Sequence, residues 1–269
     1  MTHSKDDLDA FASFAQRLAM AARAQTLPRF RNGASVFNKA GPWYDPVTDA
    51  DREAERAIGE MIAKMYPDHG FIGEEFGSRD GASRFRWVID PVDGTRAFVC
   101  GAPTWTTLIA LQYDERPVLG LIDQPYADEI WIGYAGASKF CSGDEEKLAK
   151  TSGETDLSRA RISTTDPRID GYMSKAAVEG FAKLAAASRL ARFSFDAYAY
   201  GLLAIGELDV VAETSLQLHD YAALAPVIEG AGGVVTNWRG DPLGADDQGE
   251  ILAAATPELH AAAIEALNR

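Results

Sequence analysis

At 269 residues the chain is long enough to bury a substantial core, and its 46% hydrophobic, 10% aromatic and 25% charged residues describe a folded globular protein, which excludes disorder and fibrous architecture. Lys and Arg number 26 against 40 Asp and Glu, a formal net charge of −14 that opposes binding to nucleic acid or anionic membrane. Cys100 and Cys141 stand in unrelated contexts without metal-ligand spacing, no apolar run approaches the roughly 18 residues of a membrane span, and Met1 to Asp9 lacks the plan of a signal peptide, so a cytoplasmic protein without disulfides is expected.

Apolar positions recur at helical spacing from Leu8 through Phe11, Ala12, Ala15, Leu18, Ala19 and Ala22, with Asp6 and Asp7 near the start, which predicts a first helix ending near Pro28. A loop with Gly33, Gly41 and Pro42 leads to Thr48-Asp49-Ala50-Asp51, a capping box with Asp51 in place of the usual Glu, and Ile58, Met61, Ile62 and Met65 carry that second helix toward Pro67. Short apolar runs at 70–73 and 85–89 read as buried strands, each ending in carboxylates, and 106–113, 118–123 and 129–134 as an antiparallel meander. The polar stretch 142–158 is the expected internal boundary, which divides the chain into an N-terminal α+β half over 1–145 and a C-terminal α/β half over 146–269. In the second half, strands at 161–164, 190–195 and 208–213 alternate with helices at 171–188, 198–206 and 220–231.

In Trp87-Val88-Ile89-Asp90-Pro91-Val92-Asp93-Gly94-Thr95 an apolar strand delivers two carboxylates three positions apart into a glycine turn. A short helix opening there would turn free N–H groups and its positive dipole end toward an anion such as phosphate; the plain alternative is a common turn with Asp93 as a helix cap. Gly73-Glu74-Glu75 also sets carboxylates directly after a strand, and Asp220 opens a helix after His219. Hard divalent cations need such oxygen clusters, Mg²⁺ taking carboxylates and water where Zn²⁺ would select Cys and His. Brought together without a cation, these carboxylates would repel one another.

Pro46-Val47-Thr48-Asp49-Ala50-Asp51, Gly73-Glu74-Glu75, the block Asp90 to Thr95, and His219-Asp220 leading to Glu229-Gly230-Ala231-Gly232-Gly233 resemble the inositol monophosphatase family of Mg²⁺-dependent phosphatases, in order and over nearly the whole chain. The resemblance implies an α-β-α-β-α layered sandwich. It implies metal ligation by Glu74, Asp90, the backbone carbonyl of Val92, Asp93 and Asp220, with two or three Mg²⁺ per site, Glu74 counting also among the catalytic residues. Asp51 and Thr95 resemble the pair that orients and deprotonates a metal-activated water, although the capping box explains Asp51 structurally by itself. The N–H groups of Gly94 and Thr95 resemble a phosphate cradle, and Asp220 also borders the substrate. Direct attack without a covalent phospho-enzyme, and a homodimer, complete what the family implies.

Arg96-Ala97-Phe98-Val99, then Gly101, Pro103, Trp105, Thr107 to Leu111 and Leu121 to Pro125 resemble the histidinol-phosphatase branch. That branch implies hydrolysis of histidinol phosphate to histidinol and inorganic phosphate in histidine biosynthesis. Inositol 1-phosphate or another sugar phosphate is the competing small-molecule substrate. A regulatory protein that merely binds a divalent cation at its acidic cluster is the non-enzymatic alternative, against which Asp51 and Thr95 argue. The resemblance also implies that Glu213, seven residues before Asp220, faces the alcohol end of the substrate and that Asp196, after the strand 190–195, lies near substrate-contacting positions, and carboxylates there suit a cationic amino-alcohol. For Asp196 a helix N-cap is an equally good reading.

The loop from Lys39 to Asp45 is a residue or two longer than the one that usually precedes this second helix, which leaves both residues without an assigned role, and a solvated side chain is the default for Lys39. Gly230 to Gly233 reads as a helix stop rather than a nucleotide loop. His69 and His219 have no spaced partner and read as structural or supporting residues.

Overall fold

The computed structural model describes residues 4–39, 46–169, 172–244 and 249–268; Asp45 and the start of the helix expected at 171 lie outside them. Helix α1 (Lys5–Thr26), capped by Ser4, lies against α2 (Asp49–Met65), and a ribbon of β1 (Val36–Asn38) and β2 (Pro46–Thr48) leads into α2. Then come β3 (Gly70–Gly73), β4 (Ser78–Arg79), β5 (Phe85–Asp93), the short helix α3 (Thr95–Cys100), β6 (Thr106–Tyr113), β7 (Arg116–Gln124), β8 (Glu129–Tyr134), β9 (Ala137–Ser142) and β10 (Glu145–Leu148). These strands form one sheet in the order β10-β9-β8-β7-β6-β5-β3-β4, antiparallel except where β3 runs parallel to β5.

The remainder comprises β11 (Arg161–Thr164), α4 (Lys175–Ala187), β12 (Leu190–Phe193), α5 (Tyr198–Ala204), β13 (Val210–Glu213), α6 (Leu218–Tyr221), α7 (Leu224–Gly230), β14 (Val234–Thr236), β15 (Ile251–Ala254) and α8 (Pro257–Asn268). Its sheet, ordered β12-β11-β13-β15-β14, is parallel across β12, β11 and β13 and antiparallel at β15.

The two-residue period of each strand sorts side chains into layers. Trp87 and Ile89 of β5 pack beneath α1 and α2 with Leu18 and Ile58, whereas Val88 faces the opposite way, onto α5 and α7. Val211 of β13 joins that middle layer, and its neighbours Val210 and Ala212 turn outward onto α4 and α8 with Leu184 and Leu259. The order is α1/α2, first sheet, α5/α7, second sheet, α4/α8: the five-layered sandwich expected. Side chains at 120 and 133 would collide with the backbone carbonyls of Ala223 and Pro226, so Gly120 and Gly133 let this helical layer lie directly on β7 and β8. No described helix is long and apolar enough to cross a membrane.

Several expectations change. The single helix over 220–231 is two helices, because Pro226 lacks an N–H and its ring excludes a continuous turn through Ala222, so α7 restarts with Pro226 in its first turn. The strand expected to reach 195 ends at Phe193, where Ser194 takes φ 65°. Strand β10 falls inside the polar boundary stretch: all four of its residues are exposed, so no buried face marks it in the sequence.

Candidate active site

β5 is buried from Trp87 to Val92, and its pairing with β6 is irregular between Asp90 and Asp93. There Val92 N–H bonds Asp90 Oδ1 at 3.0 Å, and the Thr107 hydroxyl holds the Pro91 carbonyl at 2.8 Å. The bulge brings Asp90 and Asp93 together, and α6, seated by the close approach of the helical layer to the sheet, brings Asp220 to them. One carboxylate oxygen from each of the three lies within 4.8 Å of the others.

Glu74, on the turn after β3, lines the same cleft but stands outside that trio, and its charge bears on Asp90. Asp93 Oδ2 accepts the Ala197 N–H at 2.7 Å, and Gln217 N–H bonds Asp220 Oδ2 at 2.6 Å. Burial, then the charges of Glu74, Asp93 and Asp220, push the Asp90 carboxyl well above its ordinary range; burial, then Asp196 and Asp220, do the same to Asp93. Asp220 is also raised, chiefly by burial, with His219 opposing the shift. A crowded, buried, all-oxygen donor set of this kind fits a hard divalent cation.

Asp51 is fully buried at the start of α2. Its Oδ2 accepts both the N–H and the hydroxyl of Thr48, completing the capping box, while Oδ1 receives the Thr95 hydroxyl at 3.1 Å. The same hydroxyl lies 3.1 Å from the Val92 carbonyl, so its one proton is shared between the two. Burial raises Asp51 to about 6 against the pull of Thr48, and Glu74 and Glu75 add to the rise. Gly94 takes φ 79° between β5 and α3, and no side chain caps that helix.

The cleft encloses about 250 Å³. Asp196 and Glu213 line it with Asp166, Thr165, Tyr172 and Tyr200. Asp196 does not cap a helix as the alternative reading had it: α5 begins at Tyr198 with Ala197 at its cap, and Asp196, at φ 50°, turns its carboxylate against Gly94, where a Cβ would stand 2.9 Å from Cγ. Burial raises it to about 6. Glu213 Oε1 accepts the Thr165 N–H at 2.9 Å and the Thr165 hydroxyl, and Oε2 the Tyr200 hydroxyl at 3.0 Å. Burial raises it to about 7. Thr165 follows the C-terminal end of a parallel strand, a position that general topology marks for ligand contacts, whereas Tyr200 sits in the core of α5 and carries no sequence signal.

Lys39 departs from its default. Rather than being solvated, it reaches Glu74 Oε1 at 2.6 Å and Glu75 Oε1 at 2.8 Å. Burial works against its charge, yet the two carboxylates together outweigh burial and raise the ammonium above its usual value. His69 stacks on Tyr66 and accepts the Trp87 indole N–H at 3.2 Å, a core role as expected, while His219 lies 3.4 Å from Asp220.

Residues 7–269 match the model of the inositol monophosphatase family. The chain is 36% identical to the chloroplastic bifunctional phosphatase IMPL2 of Arabidopsis thaliana, over 98% of this chain and 77% of the relative. It is 32% identical to the histidinol-phosphatase of Mycobacterium tuberculosis, over 93% of this chain and 96% of the relative. Among solved structures, an inositol monophosphatase from Zymomonas mobilis superposes with a TM-score of 0.85 at 36% identity, covering 99% of this chain and 100% of that one.

Proposed function

The chain belongs to the inositol monophosphatase family of phosphatases, and from that premise we propose that it is a Mg²⁺-dependent phosphomonoesterase whose substrate is histidinol phosphate. The observation that carries the hydrolytic reading is the juxtaposition of the Asp90, Asp93 and Asp220 oxygens with the Thr95–Asp51 pair. Asp90, Asp93, Asp220, Glu74 and the Val92 carbonyl would hold the ions, two or three in number. When bound, Mg²⁺ supplies neutralisation of the phosphate and activation of water.

When the shared Thr95 hydroxyl proton turns to Asp51 rather than to the Val92 carbonyl, the hydroxyl oxygen is free to accept a hydrogen bond from an attacking water. Asp51, held at about 6 by burial, is then the proton's destination near neutral pH. Because Thr48 fixes the other oxygen of Asp51, the accepting oxygen cannot rotate away. The Gly94 and Thr95 N–H groups, at the uncapped start of α3, would receive the phosphate. Water attacks phosphorus directly, the P–O bond to the alcohol breaks, the departing alkoxide takes up a proton from solvent to leave as the alcohol while Asp51 returns the one it accepted, and no residue becomes phosphorylated.

Two features support histidinol phosphate. The histidinol-phosphatase of Mycobacterium tuberculosis aligns over nearly its full length, and Asp196 and Glu213 line the cleft, carboxylates that suit an ammonium better than a neutral polyol. The second reading, inositol 1-phosphate, draws on the Zymomonas mobilis structure and on Glu213, whose oxygens already serve Thr165 and Tyr200. Release of inorganic phosphate with Mg²⁺, abolished by EDTA and restored by Mg²⁺, tests the activity; release that persists in EDTA contradicts it. We propose a homodimer on the family's pattern.

A further inference from the structure

Glu55 is a buried carboxylate to which the proposed reaction gives no role. It stands one turn after Asp51 on the same side of α2 and is 1% exposed. Among the described residues, its oxygens accept from backbone N–H groups and from no side chain. Oε2 accepts the N–H of Glu75 and Oε1 that of Phe76, each at 2.8 Å, so the carboxylate sits inside the turn between β3 and β4. That turn closes with Gly73 N–H on the Gly77 carbonyl at 2.9 Å. Gly73 is shaped to the same carboxylate, since a Cβ there would overlap it.

Glu74 therefore lies between a residue packed on Glu55 and a residue hydrogen-bonded to it. Burying a charge to tie down two N–H groups is costly for the fold alone, because desolvation of a carboxylate consumes much of what its hydrogen bonds contribute. The placement of that cost, under the one turn that carries Glu74, argues for a functional return.

We propose that Glu55 is a positioning residue for the divalent cation: by clamping the β3–β4 turn onto α2 it fixes where the Glu74 carboxylate stands relative to Asp90. The inference rests on the reading of Glu74 as a metal ligand. Helix α2 then sets both partners of the chemistry, Asp51 against Thr95 and, four residues on, Glu55 beneath Glu74.

A double-mutant cycle read by calorimetric titration of Mg²⁺ into the metal-free protein tests this, with E55Q, E74Q and the pair. E55Q keeps the volume and one acceptor but places an amide N–H₂ against a backbone N–H. It should weaken Mg²⁺ binding by about 10- to 100-fold, the usual effect of losing a group that orients a ligand. In the E74Q background the same change should do nothing further. Unaltered Mg²⁺ affinity in E55Q, with or without a lower Tm, overturns the proposal and leaves Glu55 a structural tie. Equal weakening with and without Glu74 also overturns it. If E74Q alone binds Mg²⁺ normally, the ligand reading of Glu74 fails and the proposal falls with it, a result distinct from the other two. Should E55Q not fold, E55D, which keeps the charge and withdraws it by one methylene, enters the same cycle with the same outcomes.

Discussion

The Thr95 hydroxyl reaches Oδ1 of Asp51 at 3.1 Å, while Oδ2 of that carboxylate is held by the Thr48 N–H at 2.9 Å and by the Thr48 hydroxyl. Helix cap and the proposed proton acceptor, which look like rival explanations of Asp51 in the sequence, would use different oxygens of one group. The cap would then immobilise the acceptor.

Thr95→Ala should lower kcat by about 10²- to 10⁴-fold, the range for a lost proton-transfer contact, and leave Mg²⁺ affinity nearly unchanged. Thr95→Ser should recover most of the rate. Steady-state kinetics across a Mg²⁺ series checks this; a matching loss of metal affinity would make Thr95 a ligand or a cap.

Asp93→Asn should abolish most turnover while the fold persists, because a ligand charge is lost and the side-chain volume is kept. Crowding with Asp196 and Asp220 would ease, so the Tm of the metal-free protein should hold or rise, and added Mg²⁺ should stabilise the variant less than the parent. Thermal unfolding in EDTA and in Mg²⁺ provides both numbers. Near-parental turnover in saturating Mg²⁺ removes Asp93 from the ligand set.

The buried carboxylates also fix the sign of the pH dependence. Asp51 and Asp196 titrate at about 6 in the fold against an ordinary 3.8 and Glu213 at about 7 against 4.5, and burial also holds Asp90 and Asp93 well above their ordinary range. The folded state thus binds protons that the unfolded state has released, so the stability these groups confer is complete below about pH 4 and is lost as the pH rises through 6 and 7. In EDTA the Tm should fall between pH 5.5 and 8, each kcal/mol counting for about 2–4 °C in a chain of this size. Mg²⁺ should restore more of it at pH 8 than at pH 5.5. A Tm in EDTA that climbs over this interval contradicts the assignment.

Much of this architecture was legible because burial leaves periodic marks. The apolar spacing of α1, the capping box of α2 and the apolar run of β5 each record a buried face in one dimension. The exposed strand β10 and the restart of α7 at Leu224, just before Pro226, leave weaker marks: one buries nothing, and the other interrupts a continuous apolar pattern without ending it. Within the site, carboxylates that end strands were visible as such, as Asp90 and Asp93 show. Lys39 on Glu74 and Glu75, Tyr200 on Glu213 and Glu55 beneath the β3–β4 turn were not, because each is a long-range pairing whose partner is chosen by the fold.

Glu213→Gln separates charge from shape at the alcohol end. The amide can keep an acceptor on Thr165 and present N–H₂ to Tyr200, whose hydroxyl can reverse its role. With an ammonium substrate the lost charge-assisted bond is worth about 1.5–3 kcal/mol, roughly a ten- to hundred-fold fall in kcat/KM. With inositol 1-phosphate the fall should be smaller. Equal losses on both substrates remove Glu213 as the discriminator and leave Asp196 as the carboxylate to test.

The most direct test of the central reading is kcat/KM in Mg²⁺ for histidinol phosphate, inositol 1-phosphate and fructose 1,6-bisphosphate on the unaltered protein. If Asp196 and Glu213 read a cation, histidinol phosphate should give the highest value. A higher value for inositol 1-phosphate or fructose 1,6-bisphosphate would contradict it.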